Sequence, residues 1–390
     1  MNAAHVRPFA FAFAFAFVKM ASLAMLLTAL GAGLAPAHAG ENDDADLVVL
    51  DGGFAQVSLR GLLQTQFLPL LGDDARLVSG DPADAPGMRL RRARLGVSGW
   101  AWGNVDWELS MQARAGGMDL LDAWVGYRGL TGIGFVVGAK KIPFSTFAMM
   151  GAGETVLTDR PLGVQAMAPF RQVGLTIEGD VGNGIASYAL GVYNGFSRNQ
   201  SFNEGYVETP ALDGNRFTRL AYVAHVSLAP LGSLGKGLAD FARSNPKLGL
   251  GGSFYYDDGK TVQTLGIAAN LIFKMKGFHF VAEYLYDSAE PTTEPTTDAV
   301  VPASVSRQAL IAELGYLLLR DELGVTARVE LLDDNMDLDN QGDQLVFTGG
   351  LQYYFHRQHL KAQLEYTHRS ELDGLSLDND ALLLQVQFQL

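Results

Sequence analysis

From about residue 54 onward the chain alternates apolar and polar side chains with a period of two. Val105, Trp107, Leu109, Met111 and Ala113 fall on one side; Asp106, Glu108, Ser110, Gln112 and Arg114 fall on the other. Successive side chains of a β-strand point to opposite faces, so this is a strand with one apolar and one charged face. Val325, Ala327, Val329 and Leu331 alternate in the same way with Thr326, Arg328 and Glu330. So do Leu360, Ala362, Leu364 and Tyr366 with Lys361, Gln363, Glu365 and Thr367. The chain ends on Leu382, Leu384, Val386, Phe388 and Leu390 against Gln385, Gln387 and Gln389.

Extending this reading predicts about sixteen strands: 54–67, 88–101, 104–115, 119–129, 132–141, 171–180, 184–196, 216–229, 246–257, 261–274, 277–287, 306–319, 324–333, 343–356, 358–370 and 380–390. Each is long enough for the roughly 9–11 residues with which a tilted strand crosses a bilayer, whereas soluble sandwich strands run to about 5–6. The connections alternate between short turns and long segments such as 68–87, 142–170, 197–215, 288–305, 334–342 and 371–379. Three break the alternation: 116–118 and 258–260 are short among the long, and 230–245 is long among the short. Short turns at one end and long loops at the other describe an all-β transmembrane antiparallel barrel, with periplasmic turns and extracellular loops. Aromatic residues near the strand ends (Trp100, Trp102, Tyr127, Tyr193, Tyr255, Tyr256, Tyr286, Tyr316, Tyr353) fit interfacial girdles.

The N-terminus reads differently. An apolar stretch from Met20 to about Pro36 follows Arg7 and Lys19, and Ala37-His38-Ala39 suits signal peptidase. Residues 1–39 are therefore expected to be a signal peptide, 40–52 a short periplasmic segment, and 53–390 the barrel. Removing 1–39 takes away two basic residues and no acidic one, so the net charge of −13 becomes −15. An acidic chain argues against nucleic acid as a partner. With no Cys, thiolate metal sites and disulfides are excluded. No G-x-S-x-G, Walker A or H-E-x-x-H string occurs, so neither enzymatic activity nor a cofactor is expected. The acidic run from Asp333 to Asp343 lacks the closing carboxylate of an EF-hand loop, which makes it a solvated or lipopolysaccharide-associated loop before it is a calcium site.

An ordered set of motifs then points to a family. Arg91-Arg92-Ala93-Arg94-Leu95-Gly96-Val97-Ser98-Gly99 precedes Leu121-Asp122-Ala123-Trp124-Val125-Gly126-Tyr127, VGAKKIPFS (Val137 to Ser145) and Asp159-Arg160-Pro161. Ala168-Pro169-Phe170-Arg171-Gln172-Val173-Gly174-Leu175 and GVYNG (Gly191 to Gly195) follow. In this order they resemble the phosphate-selective porin O and P family, over about residues 88–196. The resemblance implies a sixteen-stranded outer-membrane barrel, usually a homotrimer, with the third long loop folded into the pore. It implies a water-filled diffusion channel for small hydrophilic solutes, anions such as phosphate among them. The alternative is a non-selective, structural or adhesin barrel in the same lipid and lipopolysaccharide.

The loop from Lys140 to Arg171 carries Pro143, Phe144, Phe147, Met149 and Met150, too apolar a set to hang in water. Its ends hold Lys140, Lys141, Arg160 and Arg171, which would meet passing anions in a narrow section. Arg60, Arg92 and Arg94 complete the candidate constriction set. Arg92 and Arg94 share a face toward the lumen, while Arg91 is expected to snorkel to the interface. Each cation could instead pair with Asp122, Glu154, Asp159 or Glu178 and merely brace the loop. Further carboxylates at Asp106, Glu108, Glu283, Glu313, Glu330 and Glu365 are expected in the lumen, where they would offset much of the basic set.

Overall fold

The computed structural model describes residues 47–73, 85–114, 117–182, 184–195, 220–258, 262–291, 304–319 and 322–390. The expected leader, residues 1–39, lies outside the described residues. Seventeen strands are described: β1 (Leu47–Gly52), β2 (Ala55–Leu71), β3 (Gly87–Ala101), β4 (Val105–Arg114), β5 (Gly117–Leu130), β6 (Ile133–Lys141), β7 (Arg171–Val181), β8 (Ala186–Asn194) and β9 (Leu220–Leu228). Then come β10 (Lys247–Asp258), β11 (Val262–Met275), β12 (Phe278–Pro291), β13 (Val305–Leu318), β14 (Leu323–Asp333), β15 (Gln344–His356), β16 (Leu360–Glu371) and β17 (Ala381–Gln389). From β2 to β17 each strand pairs antiparallel with the next, and β17 closes on β2 from Ala381↔Leu71 to Gln389↔Leu62. The result is a closed barrel of sixteen strands whose bounds follow the sequence periodicity to within a few residues.

β1 was not expected. It turns back at Gly52 and pairs with Ala55–Leu59 of β2, on the edge that the shorter β17 leaves open. That pairing satisfies backbone groups which would otherwise face solvent at the barrel rim.

The faces sort by parity. In β17, Leu384, Val386 and Phe388 point outward, and Gln385 and Gln387 are buried inside. In β14, Val325, Val329 and Leu331 point outward against Thr326, Arg328 and Glu330 within. An apolar exterior around a polar interior fits lipid outside and water within. Two girdle expectations need correction: Tyr193 and Tyr255 are each 1% exposed and face inward. Phe144 meets Tyr255 edge-on, with ring centroids 4.9 Å apart, so these rings serve a core within the barrel.

That core is the second departure from a plain barrel. Residues 142–170 fold into the lumen and carry two short helices, α1 (Thr146–Met149) and α2 (Leu162–Met167). Ile142, Phe144, Phe147, Val164, Met167 and Phe170 bury against inward apolar positions of β8 to β14, including Val223, Val281, Leu285 and Ile311. Gly163 sets the approach: a Cβ there would lie 2.4 Å from the Ala309 Cβ of β13.

Candidate functional site: a loop-narrowed lumen

The inward loop is fastened to the wall formed by β12 through β17 and β2. Three glutamates on alternate strands accept its backbone N–H groups. Glu283 of β12 takes Thr146 N at 2.7 Å and Ser145 Oγ at 3.1 Å. Glu330 of β14 takes Leu162 N at 2.5 Å, and Glu365 of β16 takes Thr158 N at 2.7 Å. Each such hydrogen bond contributes on the order of 0.5–1.5 kcal/mol net, and three on alternate strands together help hold the loop. Donors satisfy the loop carbonyls in turn. Lys361 Nζ donates to Thr155 O at 2.7 Å, Gln363 Nε2 to Val156 O at 2.6 Å and Gln64 Nε2 to Ala152 O at 3.2 Å.

Arginines of β3 hold the loop from the other side. Asp159 accepts from Arg91 Nε at 3.1 Å, with Arg92 Nη2 3.7 Å away. Burial alone would raise the Asp159 carboxyl, but Arg91, Arg92 and Arg89 outweigh it and hold it down at about 2. Arg91 thus does not snorkel to the interface. The register of β2 and β3 slips between Gln64↔Arg92 and Thr65↔Leu90, leaving Arg91 as an extra, bulged residue. The bulge turns Arg91 inward beside Arg92. Strict alternation could not have shown this, nor the part played by Arg89.

The candidate cations now divide. Arg160 is 4% exposed and donates to Phe147 O at 2.8 Å and Met150 O at 2.7 Å, its guanidinium lying over the Phe170 ring. Arg92 is 2% exposed and donates to Gln64 Oε1. Both lie among the loop's anchors. Arg60, Arg94, Lys140, Lys141 and Arg171 instead line a cavity of about 380 Å³. The wall of β2 to β7 bounds it on one side and the loop tip, Met149 to Glu154, on the other.

Within the cavity the cations are partnered, and they differ in exposure: Arg171 is buried, whereas Arg60 is open to the lumen. Arg171 grips both oxygens of Asp122, at 2.9 and 3.0 Å. Arg60 stands 3.0 Å from Glu108, and its side chain remains 45% exposed. Lys140 Nζ reaches Glu178 at 2.7 Å and lies 5.9 Å from the centre of the Trp124 ring. Lys141 Nζ donates to Met149 O at 2.8 Å, so it both lines the cavity and ties down the loop tip. Three carboxylates share the lining: Glu108, Asp122 and Glu154. Glu283, Glu313, Glu330 and Glu365, expected to offset the basic set, are each no more than 6% exposed on the wall behind the loop. The cavity is therefore more cationic than the composition of the chain suggests.

The phosphate-selective porin O and P family model matches residues 71–231, which take in β3 to β7 of the cationic wall and the inward loop. Over those residues the chain matches that family. Solved porin structures share its fold. OmpT of Vibrio cholerae aligns over 87% of this chain and 99% of its own, at 12% identity and a TM-score of 0.56. The outer-membrane channel DcaP of Acinetobacter baumannii aligns over 87% and 99%, at 13% identity and a TM-score of 0.55. OprB of Pseudomonas putida aligns over 86% and 94%, at 10% identity and a TM-score of 0.56. No curated protein matches the sequence. A closed barrel, apolar outside and polar within, together with the match to an outer-membrane porin family, places the protein in the outer membrane.

Proposed function

We propose that this porin is a diffusion channel for small hydrophilic solutes with a mild preference for anions, and that it works as a homotrimer. The observation that carries the reading is the cavity between the loop tip and the β2–β7 wall, lined by five basic residues and three carboxylates, with Glu178 paired to Lys140 as a fourth. In a narrow aqueous section with low-dielectric walls, such an excess lowers the entry barrier for an anion. Lys140, Arg94 and Arg60 are the residues assigned to contact solute; Arg171 and Lys141 hold the shape of the cavity as well. Arg92 and Arg160 support the loop that forms its other side. The trimer is supported by the likeness to OmpT of Vibrio cholerae, described in a trimer form.

Phosphate as a preferred solute rests on the family resemblance, and the partnered state of the cations favours a weaker, general preference for anions. Reversal potentials in a chloride gradient, repeated with phosphate, test this directly. A lean toward anions that is no stronger for phosphate than for chloride is expected. A structural or adhesin barrel sealed by its loops would show no conductance.

A further inference from the structure

The connection between β9 and β10, residues 229–246, lies at the short-turn end, where the other connections have two to four residues. It does not extend away from the barrel. Leu238 and Ala239, 2% and 7% exposed, join the apolar core that the inward loop forms inside the lumen. Lys274 Nζ of β11 donates to Leu234 O at 2.8 Å and to Gly237 O at 2.6 Å. Asp240 accepts Ser244 N at 3.0 Å and Gly277 N at 2.9 Å, which pins the segment to the neighbouring turn. Phe241 packs edge-on against Tyr354, with centroids 4.9 Å apart. Two glycines permit the close fit. A Cβ on Gly249 would lie 2.4 Å from Leu234, and one on Gly237, at φ +61°, would lie 3.3 Å from the Glu154 carbonyl oxygen.

The last contact matters most, because Glu154 belongs to the loop that enters from the opposite end. Segments from both ends of the barrel therefore meet within the lumen. Below that meeting lies a cavity of about 190 Å³, against about 380 Å³ for the one above it. Arg60, Glu154, Gln389 and Leu390 line both, so the two cavities adjoin. Lys236 is exposed on the wall of the smaller one.

We infer that residues 229–246 form a second constriction in series with the first, at the periplasmic exit, and that Lys236, with Arg357 on the same lining, is among the charges a leaving solute meets there. This rests on the reading that the barrel conducts. A second cavity of about 280 Å³ flanks the same segment, lined by Met149, Glu154, Leu234, Gly237 and Lys274, so 229–246 stands between both spaces and the exit and contributes to the size limit and the charge preference of the channel.

The absence of cysteine makes the test clean. Lys236→Cys in the full chain, reconstituted in planar bilayers, would be treated with the anionic reagent methanethiosulfonate ethylsulfonate, with labelling confirmed by mass. Conductance is expected to fall by about a third or more, and the reversal potential to move toward cations. Ser376→Cys, exposed in the connection between β16 and β17 at the opposite end, is the control and should change neither. Lys274→Met, which removes both anchoring bonds, should raise conductance. Complete labelling of Lys236→Cys with unchanged conductance, or an equal fall in the Ser376→Cys control, would overturn the second constriction. An untreated wild-type barrel that carries no current would instead overturn the porin reading, and the inference with it.

Discussion

Replacing Asp159 by Asn should loosen the inward loop while leaving the barrel intact. The carboxylate lies against Arg91 and Arg92, with Arg89 nearby, and its pKa of about 2 compares with an ordinary 3.8. A shift of roughly 1.8 units corresponds to about 2.5 kcal/mol favouring the docked state at neutral pH. The sign follows from the direction of the shift. A depressed carboxyl stabilises fully above its unfolded pKa, and the contribution is lost as pH falls from about 4 through 2. The Asp159→Asn variant would forgo it at every pH and leave three guanidiniums without their anion. The expected result at neutral pH is an open-loop population raised by roughly 50-fold or more, since about 1.4 kcal/mol is a factor of ten. Single-channel recording would show this as brief high-conductance excursions, rare in wild type and frequent in Asp159→Asn. Acidifying from pH 4 to 2 should increase them further in wild type than in the variant. Identical noise and identical acid profiles would refute the role given to Asp159.

Gly163→Leu should displace the loop, because even a Cβ would meet Ala309 at 2.4 Å; a cost of about 1–3 kcal/mol and a larger conductance are expected. Glu365→Ala removes the acceptor of Thr158 N and should destabilise docking by about 1–3 kcal/mol, read as faster proteolysis of residues 142–170 in the folded barrel. Phe388→Gln should impair outer-membrane insertion more than Gln387→Ala, since it puts an amide on the outward face. Equal yields of those two variants would contradict the assigned faces.

The barrel was legible because period-two alternation is a local property that a lipid exterior and an aqueous interior both enforce. What escaped depends on contacts between distant segments. Arg91 could be placed only by the bulge against β2, a pairing between strands that the pattern of one strand cannot show. β1 is too short for its alternation to stand out, and its partner edge exists only because β17 stops at Leu62 of β2. Other features left a trace that could have been followed. Val281 and Leu285 on β12, and Ala309 and Ile311 on β13, are apolar at positions whose parity points inward. Apolar residues on both faces of a barrel strand imply something apolar within the lumen, and the apolar loop 142–170 was the segment available to cover them. The same argument applies to Leu238, in the one long connection among the short turns. Sequence could name all seven cations as pore candidates but could not separate the cavity lining from the anchors. That division depends on which side of the docked loop each side chain lies.

In the channel proposed above, local charge at the narrowed section outweighs the overall acidity of the chain in setting selectivity. The most direct test is the single-channel reversal potential across a salt gradient, in wild type and in the double variant Lys140→Gln with Arg94→Gln. A channel leaning toward anions is expected, with a lean that shrinks or inverts in the double variant. The change should be largest at low salt, where the Debye length reaches about 30 Å at 0.01 M. A cation-selective wild type whose reversal potential the double variant leaves unmoved would contradict it.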